Sequence, residues 1–268
     1  MALTRDWFPA EADVAEFDPL KSARKSLKTA LPKRFYQQAG IGRRAEGWAL
    51  LLDGKPARTP GRNILATPAE PAAALLAAEW QAQQVEINPA GMPVTRIVNA
   101  ALDHVSSQAG EVRQDIAAYA ESDLICYFAA EPAQLATRQQ AAWRPMLDWA
   151  KTEFGADFNV AHSIVPVAQT AETLAAMRAA LAGVTDPITL AALHVITTIT
   201  GSAILALAVL RGRLQTDEAF NISELDADFQ RELWGEDDEA AERRANRLAE
   251  ISAAGSLLAA VRGGTQCR

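Results

Sequence analysis

The chain has little of what most catalytic and metal sites are built from. Two cysteines, Cys126 and Cys267, and three histidines, His104, His162 and His194, occur in 268 residues. No histidine pair has the i, i+4 spacing of a zinc helix, and neither cysteine has a second thiol near it, so no metal or other cofactor is expected. Two thiols cannot staple a chain of this length, and a reducing compartment fits that usage. There is no nucleophile-elbow pattern and no phosphate loop, since Gly40-Ile41-Gly42 lacks the remaining glycine spacing. Cys126 sits in Leu124-Ile125-Cys126-Tyr127-Phe128 and reads as a small core residue rather than a nucleophile. An excess of positive charge is also missing. The 26 Lys+Arg face 33 Asp+Glu, a net charge of -7, which argues against a nucleic-acid partner. Long uncharged runs are equally scarce. The single candidate for a membrane span, residues 187–210, is diluted by His194, several threonines, Gly201 and Ser202, and is expected to form two buried helices meeting near Thr200-Gly201, with no stable membrane insertion. Asp6, Glu11, Asp13, Glu16 and Asp18 near the start fit neither a secretory signal nor an acid-poor transit peptide.

What is present is alanine-rich helix-forming sequence. Hydrophobic residues make up 49% and charged residues 22%, a soluble globular composition. The length suits one large or two small domains. Eight basic residues without an acid between positions 21 and 44 read as a solvated arm, with a docking patch for an acidic partner as the alternative. Short strands are expected at Arg34-Phe35-Tyr36, at residues 47–52 and at residues 55–59, with Asp53-Gly54 as a hairpin turn and Gly40 and Gly42 in a looser loop. Thr67-Pro68-Ala69-Glu70 has the form of a capping box opening a helix through Trp80. Further helices are expected over residues 135–154, kinked by Pro145, around residues 174–181, and over residues 217–233, where Ile222, Leu225, Phe229 and Leu233 form one stripe and Glu224 and Asp228 point away. A last helix follows Gly235, its acidic run 236–239 at the N-terminus and Leu248, Ile251, Leu258 and Val261 on its buried face. The fold class is therefore α+β. It divides into an arm over 1–31, a two-layer unit with a short antiparallel sheet over 32–110, and a mainly helical unit over 111–268.

Three stretches stand above this background. They are Glu79-Trp80 with Gln83, Ile87, Met92-Pro93 and Thr95; Asp123-Leu124 with Tyr127, Gln139 and Trp143; and residues 225–230 leading to Trp234-Gly235. Each places aromatics beside amides or carboxylates, a combination that serves a polar-capped core and a protein-binding surface equally well. The same stretches, together with Arg34-Phe35-Tyr36, Gly47-Trp48, residues 52–56 and Thr59-Pro60, resemble the ATP-twelve family of ATP synthase assembly chaperones from about residue 32 to about 252.

That resemblance implies an N-terminal α+β domain followed by an orthogonal helical bundle, and a chaperone rather than an enzyme. The implied partner is the α subunit of the F-type ATP synthase soluble head. Interface physics leads us to expect a monomer that holds it until β subunits take over, and the acidic start of the chain, unlike a transit peptide, leads us to expect a bacterial cytoplasm rather than a mitochondrial matrix. The family's functional acid on the late helix falls by position on Asp226. Partner-binding residues are expected at Asp226, Gln230, Trp234, Glu224, Phe229, Trp80 and Met92, with Asp226 either presented to the client or paired within the chain. The reading from another class is a small-molecule enzyme with a carboxylate site near Asp123 or Asp226. It requires a deep pocket holding a carboxylate of raised pKa beside a second titratable group.

Overall fold

The computed structural model describes residues 31–162 and 165–265; the expected arm over 1–31 lies almost entirely outside them. Strands β1 (Ala39–Arg44) and β2 (Gly47–Leu52) form an antiparallel hairpin in which Ile41 faces Leu50. Asp53-Gly54, both at positive φ, turn the chain into β3 (Lys55–Pro56), and β4 (Ala66–Thr67) pairs with the start of β2. The glycines expected in a loop are in β1 instead. A Cβ at Gly42 would lie 2.7 Å from Leu51 Cδ1, so this glycine admits a neighbouring side chain rather than marking a bend. Arg34-Phe35-Tyr36 is not a strand, although Lys33 bridges to Glu86. Nor is Arg34 part of a free basic arm: its guanidinium donates to the carbonyls of Tyr36, Gln37 and Gln83.

Helix α1 (Glu70–Ala82) lies on this sheet. It starts later than the capping-box reading requires, because Thr67 is spent in β4, where its hydroxyl donates to the Ala69 carbonyl. Helix α2 (Pro93–Ala100) continues through a π-type turn into α3 (Ser106–Ala118). Helix α4 (Ala133–Phe154) stays continuous through Pro145. That proline faces solvent, where the carbonyl it leaves unpaired is free to meet water. Helix α5 (Ala171–Ala182) is followed by α6 (Pro187–Thr200) and α7 (Ala203–Leu210), which meet at Gly201 in the left-handed conformation. No described helix is long and apolar enough to cross a membrane.

The region expected as one helix over 217–233 is two: α8 (Thr216–Ser223) and α9 (Leu225–Trp234). The break is at Glu224, which is buried rather than pointing away, because its carboxylate reaches Arg247 at 2.8 Å. Leu233 also leaves the expected stripe and is exposed. The last helix, α10 (Asp238–Thr265), packs along α6 and also touches α1, α2 and α8. Its Leu258 and Val261 share one apolar cluster with Leu50 of the sheet and Leu76 of α1, so the core runs without interruption from the sheet to the bundle.

Candidate partner-binding surface

The surface is organised by the way α9 is fastened. Trp143 of α4 is almost wholly buried and its indole N–H donates to the Ile222 carbonyl at 2.9 Å, fixing the end of α8. One turn earlier in α4, the buried Gln139 uses both ends of its amide. Its Oε1 accepts from Ala129 N at 2.7 Å, and its Nε2 donates to Asp226 Oδ1 at 2.5 Å. Asp226 itself is exposed. The carboxylate is thus paired within the chain through one oxygen and carried at the surface by the same residue, so presentation and pairing are not exclusive. Neighbouring Arg138 lies over the Phe229 ring at 5.5 Å and donates to Glu232 at 2.8 Å, which holds the Glu232 carboxyl below the usual carboxylate range. Arg231 bonds Asp228 and, at 3.1 Å, Glu236, so one guanidinium bridges the turn at Gly235. These links make α9 a braced helix. Beside α4, a depression of about 290 Å³ is walled by Phe128, Ala133, Ala136, Thr137, Gln140 and His162.

Of the expected partner residues, α9 brings Asp226, Gln230 and Trp234 together on one exposed stripe at i, i+4 and i+8. The others are placed differently. Glu224 is 6% exposed, Phe229 4% and Met92 2%, so their side chains are committed to ion pairing and packing and offer no surface to a partner. Trp80 is half-buried in a separate cluster that staples α1 to α2. Its indole N–H donates to Thr95 Oγ1 at 3.1 Å, and Glu79 accepts from Val94 N, Thr95 N and Thr95 Oγ1, while burial pushes the Glu79 carboxyl above its usual range. Sequence reasoning picked out Gln139 without its role, and it missed Arg138 and Arg247. Helical spacing carries no signal for partners 87 residues apart, as Gln139 and Asp226 are.

Asp123, the other carboxylate considered for chemistry, is fully buried at the junction of two helical turns. It accepts from Ile125 N at 3.3 Å and Ile204 N at 3.2 Å, and also from Ala203 N and the Ser202 hydroxyl. Burial pushes its pKa up to about 6 against the opposing pull of these donors. Its titratable neighbour, Cys126, is pushed upward as well, by burial and by the Asp123 charge, away from reactive thiolate character. The raised pKa the enzyme reading asks for is therefore present, but all four donors come from the chain itself. The arrangement caps α7 and the turn Leu124–Cys126.

Residues 33–151 match the family model described as ATP12 chaperone protein. The Atu1473 protein of Agrobacterium tumefaciens is 43% identical in sequence, with a TM-score of 0.82 over 92% of this chain and 92% of that one. The chain belongs to the ATP12 chaperone family. The crystal structure of Atp12 from Paracoccus denitrificans, another member, is 40% identical with a TM-score of 0.79, covering 86% of this chain and 99% of that one. An aspartate-to-lysine mutant of that Atp12 superposes with the same TM-score at 39% identity. The small antiparallel sheet followed by a helical region, expected from the sequence, is the architecture shared with these family members.

Proposed function

We propose that the chain is an assembly chaperone that holds the unassembled α subunit of the F-type ATP synthase soluble head until β subunits cover it. The observation that carries this reading is membership of the ATP12 chaperone family over nearly the whole chain, rather than over one shared motif. The local geometry supports it. Asp226, Gln230 and Trp234 form an exposed stripe on a helix braced from α4, the rigid support that a protein-binding surface needs.

The mechanism needs no energy source. An isolated α subunit exposes apolar surface destined for its neighbours, and patches of that kind drive aggregation. A monomeric binder of moderate affinity shields the patch and is displaced when the larger obligate interface forms. A reducing bacterial cytoplasm is the compartment this reading assigns.

The test is aggregation of purified α subunit, followed by light scattering with and without the chain. Suppression in the absence of nucleotide is expected. An absolute requirement for ATP would contradict the mechanism.

A further inference from the structure

The last turn of α9 ends in two apolar side chains that the fold does not use. Trp234 is 82% exposed and Leu233 is 58% exposed, whereas Phe229 on the same helix is buried. An indole left in water forgoes the burial of roughly 150–250 Å² that an aromatic ring offers a partner. The turn is not slack: Arg231 ties it back to Asp228 and forward to Glu236 across Gly235. A knob held this way loses little freedom when it docks.

The charge around it says what it docks against. Residues 224–242 contain nine acids and a single base, Arg231, a local excess greater than the net charge of -7 on the entire chain. Arg138 of α4 and Arg244 and Arg247 of α10 reach across to Glu232, Asp228 and Glu224, and Arg243 pairs with Glu239 along α10 itself. Asp237, Asp238 and Glu242 stand outside those pairs. An apolar knob in an acidic field is complementary to an apolar pocket rimmed by lysine or arginine, and it is repelled by anionic lipid headgroups. The knob also ends the Asp226–Gln230 stripe, about 12 Å from Asp226 at 1.5 Å rise per residue, so one partner can span both.

From this juxtaposition we infer that Leu233 and Trp234 are the anchor by which the chain grips its client, seated in an apolar, base-rimmed pocket of the α subunit. The inference rests on the function proposed above and adds the contact and its chemistry. A second copy of the chain is the competing occupant, since a groove of about 380 Å³ between Phe35, Leu52, Pro56 and Trp80 is flanked by Lys55 and Arg58.

The experiment measures the affinity of the full chain for purified α subunit by biolayer interferometry, with wild type, Leu233→Ala/Trp234→Ala, and Asp237→Lys/Asp238→Lys/Glu242→Lys, at 50 and 500 mM salt. Melting temperature and sedimentation are recorded for each. The double alanine variant is expected to melt like wild type and bind at least about 30-fold more weakly, the loss typical of a central aromatic anchor. Wild-type affinity should fall with salt, and the lysine variant should already be weak at 50 mM. Undiminished binding by the alanine variant, with wild type bound, overturns the inference and leaves the chaperone reading standing. Failure of wild type to bind the α subunit overturns both. A wild-type dimer that the alanine variant loses assigns the knob to a second copy and overturns the client contact.

Discussion

Replacing Asp226 separates the hydrogen bond it accepts from Gln139 from the charge that the proposed function has it offer to the client. In Asp226→Lys the acceptor for Gln139 Nε2 is lost, and a buried amide N–H is left without the partner it had at 2.5 Å. Stranding a buried donor costs about 1–3 kcal/mol; water can approach from the exposed Asp226 side, so the lower half of that range, about 1–2 kcal/mol, applies. For a chain of this size that is a fall in melting temperature of roughly 2–8 °C. Asp226→Asn keeps an oxygen that can accept from Gln139 and removes only the charge, so it should melt within about 2 °C of wild type. Capture of the α subunit should weaken in both variants, since both lose the presented charge. Differential scanning calorimetry beside a pull-down reads the two effects separately, and Gln139→Leu completes a double-mutant cycle in which the Asp226 and Gln139 losses should not add. The reasoning is refuted if Asp226→Asn melts as low as Asp226→Lys, or if Asp226→Lys melts like wild type. Capture by a well-folded Asp226→Asn at the wild-type level would assign the carboxylate to structure alone.

Three further outcomes follow from the buried groups. Asp123→Asn replaces one acceptor oxygen by an N–H₂ aimed at donors and should destabilise by about 3 kcal/mol, a drop of roughly 6–12 °C by calorimetry; a shift below about 2 °C would contradict the cap described at α7. The pH dependence has two opposing parts. Burial lowers the His194 pKa to about 4, so stability present above the unfolded histidine value is lost as pH falls toward 4, whereas Asp123, raised to about 6, gives stability that is full below the unfolded aspartate value and lost as pH rises through 6. Between pH 7 and 5 about 2 kcal/mol is lost at His194 and about 1 kcal/mol gained at Asp123, so these two groups together leave a net loss of about 1 kcal/mol. His194→Leu should therefore gain stability relative to wild type on acidification, as urea titrations at the two pH values would register, and parallel pH profiles would refute the His194 contribution. Gly255→Ala should loosen the α8–α10 contact, because a methyl group there would overlap the Thr216 hydroxyl and lie 2.7 Å from its Cβ; a fall of roughly 1–3 kcal/mol in the same titrations is expected, and a neutral result would show that the helices part at no cost.

The parts of the fold that were legible in the sequence are those fixed by local chemistry. Asp53-Gly54 announced the hairpin, Thr200-Gly201 the joint between α6 and α7, and the apolar period of residues 248–261 the buried face of α10. What local patterns hid was decided by long-range partners. Gly42 looked like a loop residue until Leu51 was seen to lie against it, and Thr67 looked like a helix cap until Trp48 was seen to pair with it. The continuous stripe at 222–233 was broken because Arg247 draws Glu224 inward from another helix. The candidate surface behaved similarly. Asp226, Gln230 and Trp234 were readable from one helical period, but the amide of Gln139 that braces them arrives from α4, and nothing in the spacing of either helix points to the other. Met92, Phe229 and Glu224 carry the residue types of a binding surface, and only packing shows that the core holds them.

A chaperone for one subunit of the catalytic head must tell α from β. Immobilised full-length chain offered purified α and β subunits separately, without nucleotide, tests this most directly. Saturable capture of α, with β at background, is the result the account predicts. Equal capture of both, or capture of β alone, would contradict it.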